Sequence, residues 1–371
     1  MEFLQATYHL DGGPDSMRDL AAAVLLEQTN ETPRSVGLRY PFVRNHLTGH
    51  AGKPIPTPEG GFLVTLSLPT ETASADPAQF LNVLFGNSSL HRNVRLVDFE
   101  LPDSLKHLFH GPSFGIEGLR VRFGIMERPL TASALKPVGM TPPELASLCR
   151  TFAEGGIDII KDDHFLGDHH FCPFEDRVLC CMEAVNEVVA RTGRRSAYVP
   201  NLSGTPDQIL RQLEWVQKRG VAAVMVAPML VGLPFFYDLA RRWCDVPIIA
   251  HPSFSGTSRI EPAALLGKLF RLFGADAVIY VNYGGRFSYP QDKCMAVADA
   301  LRKRCPPFRC AFPVPAGGMT VDRAEELIET YGRDTILLIG GSLLEAGKDL
   351  LSRTKLFTRA VEQSVAALPT S

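Results

Sequence analysis

From about residue 130 onward the chain repeats one pattern, a short apolar run followed by a helix-length segment. The runs are SALKPV (133–138), GIDIIK (156–161), SAYVP (196–200), AAVMVAP (222–228), VPIIAH (246–251), DAVIYV (276–281), AFPVP (311–315) and TILLIG (335–340). Between them lie segments such as 141–155 and 205–220. Thr141 and Thr205 stand at their cap positions, each followed by a proline at the first helical position. Strands separated by helices pair in parallel through right-handed crossovers. Eight such units predict a closed (β/α)8 barrel, the TIM-barrel architecture. A doubly wound sheet would require some of the eight runs not to be strands.

The residues before the barrel have a different texture. Residues 61–69 and 92–99 read as strands, 18–28 and 76–86 as helices, and 48–60 as a loop. Asp76 is placed to cap the second helix and Gly86 to stop it. This is a small α+β domain. A length of 371 residues exceeds the ~250–300 at which one core stops growing. The expected division is an α+β domain at 1–118 and a barrel domain at 119–371.

The formal net charge of -2 lacks the basic excess of a nucleic-acid binder. No apolar run reaches the ~18 residues that span a bilayer. The opening MEFLQATYHLDGGPDS lacks the basic-then-apolar order of a secretory signal. All eight cysteines fall between Cys149 and Cys310, with no recurring zinc-ribbon spacing. They read as reduced, mostly structural thiols of a cytoplasmic protein.

Chemistry in a β/α barrel sits at the C-terminal ends of the strands. Lys136 ends the first run, and a rim lysine serves as a base or a phosphate ligand. Lys161, Asp162, Asp163 and His164 end the second run. Asp163 and His164 suit a divalent ion, whereas Lys161 helps only if carbamylated. His251 ends the fifth run and is suited to orienting a hydroxyl or exchanging a proton. Arg286 follows the sixth, in NYGGR, where its guanidinium can meet an anion. Gly317 and Gly318 follow the seventh and Gly340 and Gly341 the eighth; paired glycine turns there can surround a phosphate with backbone N–H groups. For each group the bland alternative is a solvated turn or a turn chosen for packing. His169, His170 and Cys172 form a weaker cluster. Ligand spacing alone does not define a separate zinc site there, and Cys172 as a nucleophile lacks an ordered base partner.

Taken together, LKPVG (135–139), GGIDIIKDDH (155–164), the strand-five His251 and the two glycine turns resemble the large-subunit superfamily of ribulose-bisphosphate carboxylase/oxygenase. The likeness is greatest to the non-carboxylating RuBisCO-like proteins, form IV. It covers nearly the whole chain, implying a ferredoxin-like α+β domain before the barrel. It implies that Lys161 is the lysine that becomes carbamylated and that it holds Mg2+ with Asp163, His164 standing where the carboxylases have a glutamate. It implies that Lys136 is catalytic, that His251 contacts substrate, and that Gly317, Gly318, Gly340 and Gly341 bind a phosphate. Glu27 and Asn87 look like residues that reach into a neighbouring subunit's site, so the resemblance implies at least a homodimer.

The departures are equally informative. Val138 stands where the carboxylases have a second lysine, Pro252 where they have an arginine, and Ser255 where they have a second histidine. The strand-six loop lacks their lysine, and Arg286 offers a positive charge there. These losses argue against carboxylation of ribulose bisphosphate. The retained parts suit enolisation of a phosphorylated keto-sugar or sugar acid, with an isomerase, enolase or decarboxylase outcome. A non-catalytic sugar-phosphate sensor is the alternative.

Overall fold

The computed structural model describes residues 2–364 other than Ala75 and Ser288. The chain forms two compact units, Met1–His110 with Ser255–Leu265, and Gly111–Phe254 with Leu266–Ser371.

The first unit is built on an antiparallel sheet of β1 (Phe3–Leu10), β2 (His50–Ala51), β3 (Ile55–Pro56), β4 (Phe62–Pro69) and β5 (Val94–Glu100). Its order is β2-β4-β1-β5, with β3 also on β4. β4 and β5 are the strands expected at 61–69 and 92–99. β1, which the sequence reading passes over, is the central strand and pairs with both. Its alternation is regular: Leu4, Ala6, Tyr8 and Leu10 are buried, with the polar Gln5, Thr7 and His9 between them. The helices expected at 18–28 and 76–86 form as Met17–Glu27 and Pro77–Phe85. Asp76 caps the latter, accepting from the N–H groups of Ala78 and Gln79 at 2.8 and 2.9 Å. The segment after the fifth barrel run joins this unit through the Leu96–Ile260 bridge.

The second unit holds eight parallel strands: β6 (Leu130–Leu135), β7 (Ile159–Asp162), β8 (Ala197–Val199), β9 (Val224–Val226), β10 (Ile248–Ala250), β11 (Ala277–Val281), β12 (Phe312–Ala316) and β13 (Ile336–Ile339). Their order is β8-β7-β6-β13-β12-β11-β10-β9. An isolated parallel bridge between Asn201 and Met225 links the two end strands, β8 and β9. All eight expected runs carry a strand. The first lies earlier than 133–138, so Lys136 follows the strand instead of sitting within it.

Residues at alternate strand positions fill the barrel: Leu130, Ala132, Ile159, Val199, Met225, Ile249, Ala277, Ile279, Phe312, Val314, Ile336 and Leu338 share one core cluster. Leu119 and Phe123 belong to the same cluster. They lie on the helix Gly115–Phe123, so residue 118 falls inside an element of the barrel unit. Thr205 caps Pro206–Gln217 as expected, in a capping box with Gln208. Thr141 and Glu144 form the equivalent box on Pro142–Glu154.

A candidate active site at the strand ends

Side-chain alternation decides what β7 delivers. Ile159 points into the barrel, so Lys161 and then Asp163 follow on the same side, while Asp162 faces the other way. Lys161 is 3 % exposed and Asp163 2 %. Burying an ammonium favours its neutral form. Lys161 is accordingly lowered to about 8 by burial, with the Asp163 and Asp162 charges opposing and Lys136 assisting. Its Nζ donates to the Asp162 carbonyl at 2.8 Å.

Lys136, on the loop after β6, forms an ion pair with Asp163. Burial works against ionisation of Asp163, but the Lys136 ammonium and the Phe165 N–H outweigh it and hold the carboxyl below its ordinary range. His164 Nδ1 lies 3.4 Å from Asp163 Oδ1. The His164 ring stacks on His251, with centroids 4.2 Å apart and planes within 13°. Burial keeps His164 neutral-leaning, opposed by Asp163 and assisted by the charges of Lys161, Lys136 and Arg286. His251 is depressed to about 2, first by burial and then by Lys161, His164 and Lys136. The Ser253 N–H donates to His251 Nδ1 at 3.2 Å. Nδ1 is therefore an acceptor, and the ring proton of the neutral imidazole sits on Nε2. Of the two roles expected for His251, orienting a hydroxyl or exchanging a proton, its burial beside Lys161 and Lys136 favours the first, with the neutral ring as a hydrogen-bond donor.

A network invisible to the sequence reading fixes this cluster from behind. Asp162 is fully buried. Its carboxylate accepts from Arg177 Nε at 3.1 Å, Tyr198 OH at 2.7 Å and Asn201 N–H at 3.0 Å. Arg177 also donates to the carbonyls of Gly167 and Cys172. Asn201 Nδ2 donates to the carbonyls of His164 and Leu166. One signal was available: Arg177 interrupts the buried stripe Phe174, Val178, Cys181, Val185 of its helix, and a charge on an apolar face needs a buried partner.

The glycine turns are of two kinds. Gly318 has φ +64, and a Cβ there would lie 2.6 Å from the backbone of Gly284 and Gly285. The turns after β11 and β12 thus touch backbone to backbone. At Gly317, Gly340 and Gly341 a Cβ would meet nothing within 4 Å. Those three face open space, as a ligand-binding turn requires. β13 pairs with β6, Ile339 beside Ser133, so Gly340 follows alongside the strand that leads to Lys136. Ser342 Oγ donates to the Met319 carbonyl at 2.7 Å and ties the eighth turn to the seventh. Arg286 is exposed, and its guanidinium lies over the Phe287 ring.

Two expected residues lie in the first unit. There Asn87 Nδ2 donates to Glu27 at 3.3 Å and to Glu31 at 2.9 Å. All eight cysteines are free. The Cys172 thiol is raised by burial, which suits an inert packing role. His169 Nε2 bonds the Phe165 carbonyl and its ring stacks on Phe171. Among the described residues no three His, Cys, Asp or Glu side chains gather as metal ligands, and no helix is long and apolar enough to cross a membrane.

The sequence matches the family model described as ribulose bisphosphate carboxylase large chain, catalytic domain, over residues 115–305. It is 44% identical to ribulose bisphosphate carboxylase-like protein 1 of Rhodopseudomonas palustris, over 97% of this chain and 98% of that one. It is 43% identical to the 5-methylthioribulose-1-phosphate isomerase of Rhodospirillum rubrum, over 96% of each. The crystal structure of a Rubisco-like protein from Rhodopseudomonas palustris superposes with a TM-score of 0.89 at 38% identity, covering 98% of both chains. On its barrel, its strand-end residues and these relatives, the chain belongs to the ribulose-bisphosphate carboxylase large-chain family, in its RuBisCO-like branch.

Proposed function

We propose that this chain is a non-carboxylating, enolising enzyme of isomerase or enolase type that acts on a phosphorylated methylthio-sugar. The observation that carries the reading is the buried Lys161, lowered to about 8, beside the Lys136–Asp163 pair and the stacked His164 and His251. An amine partly neutral near physiological pH can take a proton from carbon, and neighbouring cations stabilise the enolate that results. In this reading Lys136 or the Lys161 group moves the proton between adjacent carbons. His251 donates from Nε2 to a substrate oxygen. Gly317, Gly318, Gly340 and Gly341 offer backbone N–H groups to the phosphate, and Arg286 adds a positive charge at the mouth. The 43% identity to a 5-methylthioribulose-1-phosphate isomerase favours isomerisation over the decarboxylation that the same enediolate would also permit.

The residues fit Mg2+ only with a carbamate on Lys161. Unmodified, they offer a carboxylate at Asp163 and an imidazole at His164; the carbamate would complete a mixed oxygen and nitrogen set. A buried amine with a depressed pKa is the form that reacts with carbon dioxide. When bound, the ion would stabilise negative charge on the enolate oxygen. We further propose a cytoplasmic homodimer, in which Glu27 and Asn87 serve the neighbouring subunit's site; eight free thiols suit a reducing compartment.

The test is solvent deuterium exchange into a panel of phosphorylated ketoses, with magnesium and bicarbonate, comparing the wild type with Lys161→Ala. Exchange that is lost in the variant supports enolisation at this site. Binding without exchange would favour a sugar-phosphate sensor and overturn the enzymatic reading.

A further inference from the structure

The loop after β11 and the turn after β12 are held together by a cluster outside the site described above. Arg323 stands at the start of the helix Ala324–Tyr331. Its Nη1 donates to the Gly318 carbonyl at 2.8 Å and to the Tyr283 carbonyl at 3.3 Å. Its Nε and Nη2 meet the two oxygens of Glu326, each at 2.9 Å. Glu326 also accepts from Tyr283 OH at 2.7 Å, and the guanidinium lies over the Tyr283 ring, 5.0 Å from its centroid. Glu326 thereby fixes the plane of the guanidinium, which carries one carbonyl from each loop.

Glycine is required at the joint for two separate reasons. A Cβ at Gly284 would lie 2.8 Å from Arg323 Nη1, and a Cβ at Gly318 would strike the Gly284 carbonyl at 2.6 Å. The missing side chains admit the guanidinium and the backbone contact together. Arg286 follows Gly285 directly, so the clamp ends one residue before the exposed cation whose charge reaches His164.

We propose that Arg323 is a positioning residue: by locking the loop after β11 onto the glycine turn after β12, it makes Arg286 and the Gly317–Gly318 backbone one preformed anion-binding wall. This rests on the phosphate-binding reading given under the proposed function. The first part of the loop after β11, residues 282–286, is then a fixed wall of the site. Bound phosphate does not have to pay for ordering it, so the clamp acts on affinity and not on the chemical step.

The experiment measures inorganic phosphate binding to the full chain by calorimetry, for the wild type, Arg323→Ala, Arg323→Lys and Glu326→Gln. It is joined by steady-state kinetics on whichever panel ketose exchanges. Arg323→Ala is expected to weaken phosphate binding by about 10-fold or more, raising KM in step while kcat stays within about 3-fold. Glu326→Gln, which leaves Arg323 in place but loosens it, is expected to fall between, and Arg323→Lys to recover part of the affinity. Amide hydrogen exchange over 282–287 should rise in the same order. If the variants bind phosphate like the wild type and lose only thermal stability, Arg323 is a structural residue and the proposal is overturned. If the wild type itself binds no phosphate, the underlying reading fails, and the proposal fails with it.

Discussion

The barrel presents two unlike surfaces at its strand ends. The end of β7 is dense with side chains: Lys161 and Asp163 are buried and shifted in pKa, and Asp163 is paired with Lys136. The ends of β12 and β13 are nearly bare, and Gly317, Gly340 and Gly341 open onto empty space. One side offers titratable groups in a low-dielectric setting, where protonation state is sensitive to neighbours. The other offers fixed backbone dipoles whose value lies in shape and access. Proton transfer needs the first and anion capture the second. A single site can thus separate chemistry from binding around one rim.

That separation can be broken by substitution. Lys136→Ala, which removes the cation from Asp163, is expected to lower kcat for exchange by about 10²–10⁴-fold with a small change in KM. An equal rise in KM would mean the two sides are not distinct. Next in size are two glycine substitutions. Gly318→Ala forces a side chain at φ +64 into the Gly284 backbone and should cost about 1–3 kcal/mol in denaturant unfolding. Gly341→Ala, at the first residue of the helix Gly341–Leu344, meets no protein atom, so it should leave unfolding nearly unchanged and raise KM alone. Matching stability losses at the two positions would show that the open turns are packed after all.

The smallest effects are in pH. Lys161 is lowered from 10.5 to about 8, so the folded chain loses this proton before the unfolded one does. Its neutral amine should increase as pH rises through about 8. The penalty for burying its charge, fully present below that pH, is relieved between 8 and 10.5. Amine-selective labelling of Lys161, followed by mass spectrometry, should track this rise. His251, depressed to about 2, should show no titration by NMR between pH 4 and 8. A midpoint near 6.5 would return it to the role of proton carrier.

What was legible in the sequence follows a rule of locality. The eight barrel strands, the caps at Asp76, Thr141 and Thr205, and the placement of Lys136, Lys161, Asp163 and His164 at strand ends all depend on short-range pattern. β1 is equally local: Leu4, Ala6, Tyr8 and Leu10 alternate with polar residues in the pattern of a half-buried strand. The division at 118 falls inside the helix Gly115–Phe123, whose place in the barrel core depends on contacts distant in sequence. Arg323 gave no local signal. It serves carbonyls at Tyr283 and Gly318, one of them forty residues away, and only the adjacency of β11 and β12 brings them together. The lowering of His251 is non-local in the same way: the burial, and the Lys161 and Lys136 charges that add to it, come from other strands.

The bridge between Leu96 and Ile260 has a consequence for how this protein can be taken apart. Ser255–Leu265 belongs with the first unit although it lies between two barrel strands. The covalent chain therefore passes between the units three times, and no single scission can release either of them intact. A truncation beginning near residue 111 would strip that segment of its strand partner while leaving it inserted in the barrel's sequence. Modular exchange of the N-terminal unit, in the laboratory or by recombination, must accordingly carry the 255–265 insertion with it.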